Sequence, residues 1–64
     1  MIWIENEDGT EAHSAPPRFY VSLISEGFVC LDNGARPVEM SEPMPTMHDA
    51  CMWADRRFSR RSVA

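Results

Sequence analysis

Apolar residues recur with a helical period in one stretch only, Thr46 to Phe58, T-M-H-D-A-C-M-W-A-D-R-R-F. Met47, Ala50, Cys51, Ala54 and Phe58 fall at i, i+3, i+4, i+7 and i+11, a single stripe on a 3.6-residue helix. Thr46 supplies a capping hydroxyl, and Asp49, three residues on, sits where an acid suits the positive end of the helix dipole. Arg56, Arg57, Arg60 and Arg61 follow at or just past the last expected turn, where cations suit the negative end.

Ahead of that helix the pattern changes to the two-residue period of strands. Arg18 to Ile24, R-F-Y-V-S-L-I, separates into one face of Phe19, Val21 and Leu23 and another of Tyr20, Ser22 and Ile24. Ser25-Glu26-Gly27 provides a short connection, and Phe28 to Asp32, F-V-C-L-D, reads as the returning strand of a hairpin. Asn33-Gly34 is the strongest two-residue hairpin turn in the chain and predicts a third strand over Ala35 to Met40, pushed to a sheet edge by Pro37. Ile2, Trp3 and Ile4 make a brief strand, stopped by a turn at Asp8-Gly9. Thr10 to Pro17 is small, polar and closed by two prolines, and reads as a loop; Ser41 to Pro45 reads as an extended crossover into the helix.

The expected architecture is α+β: a small antiparallel sheet of three to four strands with one C-terminal helix packed on one face. The chain, 1–64, makes a single small domain, with an ordered core over about 18–58 and mobile segments at 5–17 and 59–64. The helical stripe pairs with Phe19, Val21 and Leu23. Whether Val29 and Leu31 or Phe28 and Cys30 join them is left open, because a slip of one residue exchanges the two sets.

One helix is too narrow to hide every apolar side chain that such a sheet presents. Tyr20 and Ile24 fall on the uncovered face, where Trp3 can join them. Met52 and Trp53 project roughly 140° and roughly 120° from the centre of the helical stripe. These five residues, Trp3, Tyr20, Ile24, Met52 and Trp53, are the candidate protein contacts, since contiguous apolar patches usually mark a contact site. At 64 residues the core is thin, so self-association into a homodimer is an expected way to add buried area.

Charge narrows the alternatives. The net charge of -4 is uneven, with Glu5, Glu7, Asp8 and Glu11 near the front and Arg56, Arg57, Arg60 and Arg61 near the end. An acidic chain is a poor general polyanion binder, and the four arginines are the only candidate polyanion contact. The order of three strands and a helix is similar in outline to that of AP2-like and double-stranded-RNA-binding-like modules of phage and bacterial proteins, and a sheet aromatic such as Tyr20 is of a kind that stacks on bases. The acidic front instead suggests an inhibitory accessory protein that offers its carboxylates to a basic surface.

Reactive chemistry is thinly represented. His13, His48, Cys30 and Cys51 have no C-x-x-C or H-x-x-x-H spacing, so no metal or other cofactor is expected. Cys51 and His48 diverge around the helix, and the 3 glycines are isolated at turns rather than gathered in a phosphate loop. An enzyme is therefore not expected. Two cysteines make no disulfide framework, and neither a signal-peptide pattern nor a membrane-spanning run is present, which together predict a cytoplasmic protein with reduced thiols. The function expected is a non-catalytic interaction module, with a nucleic-acid-associated or inhibitory role as the alternative.

Overall fold

The computed structural model describes the backbone of residues 1–63 and the side chains of residues 1–59. Five strands and one helix follow in order: β1 (Ile2–Glu5), β2 (Glu11–Ala15), β3 (Phe19–Ile24), β4 (Gly27–Asp32), β5 (Glu39–Met40) and α1 (Met47–Val63). The strands form one antiparallel meander, each beside its sequence neighbour. The fold is α+β as expected, with five strands in place of three or four.

The additional strand lies in the stretch read as a loop. Residues 11–15, E-A-H-S-A, pair with β1 on one side and β3 on the other. Local propensity for a strand is poor here, and the pairing comes from the neighbours on both sides. The turn before it is ordered by side chains. The Asn6 amide oxygen accepts from the backbone N–H of Thr10 and Glu11, the Thr10 hydroxyl donates to Asp8 Oδ1 at 2.7 Å, and Gly9 takes a φ of 72°. At the other end, the buried Ser14 hydroxyl accepts from the N–H groups of Arg18 and Phe19 and donates to the Pro16 carbonyl.

The strand expected over residues 35–40 shrinks to Glu39–Met40, and Asn33-Gly34 does not close a two-residue hairpin. Gly34 keeps a negative φ, and its N–H donates to the Asp32 carboxylate at 2.9 Å, so a side-chain turn sends the chain into a longer loop. Ser41 then rejoins the edge of β4: its N–H donates to the Cys30 carbonyl, and its hydroxyl accepts from the Cys30 N–H. Met44 exchanges both backbone hydrogen bonds with Phe28. The chain passes so close that a Cβ on Gly27, which has a φ of 139°, would lie 2.6 Å from the Met44 carbonyl oxygen.

Helix α1 starts as the sequence predicts, with the Thr46 hydroxyl accepting from the Asp49 N–H at 3.1 Å. It continues past Phe58, where the helical pattern was expected to stop, to Val63. It packs across β3 and β4. Ala50 and Ala54 are fully buried at its centre line, small enough to bring the helix axis close to Phe19, Val21 and Cys30. Of the expected stripe, Met47, Ala50, Cys51 and Ala54 pack in or on the core; Trp53 joins them, and Phe58 is more than a third exposed. The register of β3 on β4 sets Val21 opposite Cys30 and Leu23 opposite Phe28, which decides that Phe28 and Cys30 share the helix-covered face.

Candidate interaction surface

Alternation along the strands leaves the other face of the sheet without a covering layer. Ile4 pairs with His13, His13 with Tyr20, Tyr20 with Leu31 and Leu31 with Met40, so five side chains form one row across the whole sheet. The His13 and Tyr20 rings lie 6.4 Å apart between centroids. Ile2 and Ile24 lie on the same face and are exposed, whereas Val29, opposite Ser22 in the neighbouring rung, is buried. A shallow hollow of about 400 Å³ opens beside the row, with Ile4, Asn6, Glu11, His13, Tyr20 and Ser22 among its lining.

The five candidate contact residues divide between two places. Tyr20 and Ile24 lie on this uncovered face, as the alternation predicted. Trp3 does not join them: it faces the helix side, half-buried against the core, with its ring 6.5 Å from that of Phe19. Glu5 keeps the strand's odd positions on that side, and Trp3 and Met52 line opposite walls of a groove of about 390 Å³ between β1 and α1. Trp53 lies toward β4, its ring covered by the Arg57 guanidinium at 4.6 Å. The row Ile4, His13, Leu31 and Met40 was missed by sequence reading. Its members come from strands whose register depends on a β2 that has no strand signal of its own.

The arginines divide in the same way. Arg57 donates to Asp32 and, through Nη2, to Glu39, and Arg18 makes a two-pronged contact with the same Asp32, at 3.0 and 3.2 Å. Arg36 donates to the carbonyls of Asn33 and Ala35. Arg56 is exposed, with Nε on the Met52 carbonyl. Arg60 and Arg61 lie outside the described side chains. The positive charge near the helix end is thus partly neutralised within the fold.

The sulfur groups are quiet. Burial pushes the Cys30 thiol up to about 12 and the Cys51 thiol up to about 11, so neither is a thiolate at neutral pH. Among the described residues, no three of the His, Cys, Asp and Glu side chains gather to hold a metal ion, and no helix is long and apolar enough to cross a membrane. No protein-family model, curated protein or solved structure matches this chain.

Proposed function

We propose that this protein is a non-catalytic interaction module whose uncovered sheet face receives a protein partner. The observation that carries the proposal is the cross-sheet row Ile4, His13, Tyr20, Leu31 and Met40, in which Leu31 is half-buried and the other four side chains are exposed. Apolar area presented on a rigid sheet costs little to order on binding, and aromatic side chains such as Tyr20 make efficient anchors. Two unpaired thiols support a reducing compartment such as the cytoplasm. The engagement of Arg18 and Arg57 by Asp32 favours a protein partner over a polyanion.

Photo-crosslinking tests this directly. A benzophenone side chain placed at Tyr20 or Leu31, in the purified protein and in lysate of the source cells, is expected to give discrete protein adducts. The same group at the exposed Arg56 serves as the control. Adducts absent at both face positions, or equally abundant at Arg56, overturn the assignment.

A further inference from the structure

We propose that two copies of this chain pair through β1, antiparallel, about a two-fold axis that passes beside Trp3. The proposal rests on the interaction reading above and names a second copy as a partner.

The phase of the β1–β2 ladder decides which backbone groups are free. Asn6 N–H donates to the Glu11 carbonyl at 3.0 Å, and the hydrogen-bonded pairs of an antiparallel ladder alternate, so Ile4 and Ile2 also turn their backbone groups toward β2. Trp3 and Glu5 therefore turn theirs outward. Among the described residues no hydrogen bond reaches that outer side. The opposite edge of the sheet is guarded. There β5 has two residues, Pro37, Pro43 and Pro45 interrupt the flanking chain, and Arg57 and Glu39 place an ion pair across it. β1 contains no proline and reads I-W-I-E.

One register brings the isoleucines of both strands, four in all, into facing pairs. With the axis beside Trp3, the Trp3 backbone exchanges both hydrogen bonds with the partner's Trp3. Ile2 then stands opposite the partner's Ile4, and Ile4 opposite the partner's Ile2. These are non-hydrogen-bonded pairs, the kind in which facing side chains come closest. Ile2 is 67% and Ile4 48% exposed in the single chain, and both lie on the uncovered face. A shift that sets Trp3 opposite the partner's Glu5 would keep one apolar pair, Ile4 with the partner's Ile4, and put each Ile2 against the other chain's Asn6.

Sterics permit the pairing. Helix α1 packs over β3 and β4, inward from the β1 edge, so the two helices stay apart on the same side of a continuous sheet. The groove between β1 and α1 then borders the partner's Trp3. The pairing is isologous and consumes both β1 edges, leaving only the proline-guarded ends, so it closes at two copies.

Sedimentation of the 64-residue chain tests the pairing, with a synthetic version carrying an N-methyl group on the Trp3 amide. The mass of the parent is expected to rise toward twice the monomer with concentration, and the N-methyl version, with an unchanged circular dichroism spectrum, to stay monomeric. Register is read on a Cys51→Ser background by mixing Ile2→Cys with Ile4→Cys chains under mild oxidation. A disulfide dimer forms several-fold faster in the mixture than in either variant alone. A chain monomeric at its highest soluble concentration, or equal crosslinking in all three samples, overturns the proposal. A Tyr20 adduct to a different polypeptide from a monomeric chain leaves the interaction reading standing and ends the β1 pairing. A β1 dimer without adducts on the uncovered face does the reverse.

Discussion

Arg57, midway along α1, donates from Nε to Oδ2 of Asp32 at 3.1 Å, and Asp32 closes β4 with no exposed side-chain surface. The contact fastens the helix to the sheet at the point where the carboxylate also holds Arg18 of the β3 entry and the N–H of Gly34. A buried carboxylate is tolerable only with such partners, and Asp32 has four donated hydrogen bonds on its two oxygens. Asp32→Asn removes the charge while keeping the shape, and Arg18 and Arg57 are left facing a neutral amide. The variant is expected to lose about 3 kcal/mol in urea unfolding followed by circular dichroism. A loss under about 0.5 kcal/mol, the level of ordinary surface substitutions, would show that the network is ornamental.

The same carboxylate sets an acid limit on stability. Burial alone raises its pKa, but the hydrogen bonds from Arg18, Gly34 and Arg57 outweigh burial and lower it from 3.8 to about 2. A group lowered on folding contributes stability that is present in full above its unfolded value and is lost as pH falls toward its folded one. The contribution of Asp32 is therefore complete at pH 6 and fades between about pH 4 and pH 2, worth about 2 kcal/mol. Asp8 is also held below its ordinary value, chiefly by the Thr10 hydroxyl. Comparing the urea midpoint of the parent with that of Asp32→Asn at both ends of the window isolates the buried group. Parallel curves for the two proteins would refute the assignment.

Helix and central hairpin were legible because their own residues carry the signal: the period of Ala50 and Ala54, the cap at Thr46, and the β-branched and aromatic runs of β3 and β4. β2 was not legible, since its helix-facing positions are Ala12 and Ser14, side chains that bury little area and favour no strand. Its order is supplied by the hydroxyl of Ser14 and the ladders on each side. Asn33-Gly34 misled because Asp32, one residue earlier, captures the Gly34 N–H and spends the turn on building the ion network. Arg57 looked like a tail cation by position, and only the pairing of Asp32 with Phe19 beneath α1 reveals it as part of the core's rim.

Thr46 presents a smaller and cleaner case. Its hydroxyl accepts from the Asp49 N–H at 3.1 Å, satisfying one of the orphan donors of the first turn. Thr46→Ala is expected to cost about 1 kcal/mol in thermal or urea unfolding, and Thr46→Ser to cost much less because the acceptor remains. Equal losses for the two would place the effect in the methyl group rather than in the cap.

Trp3 carries the opposite imbalance. Its indole Nε1 is a buried side-chain polar atom without a hydrogen-bond partner, although the ring itself packs on Phe19. An unmade hydrogen bond of this kind costs roughly 1–3 kcal/mol, whereas the contact of the ring with the core is retained by any aromatic of similar shape. Trp3→Phe therefore trades some lost area against a removed penalty and is expected to change stability by less than about 1 kcal/mol in either direction. Trp3→Ala loses the area with nothing recovered beyond the same penalty, and its urea midpoint should fall well below that of the phenylalanine variant. Because the outward backbone groups of β1 are the same in Trp3→Phe, association through that edge should survive the substitution. A phenylalanine variant as unstable as the alanine one would mean that the indole N–H is bonded after all.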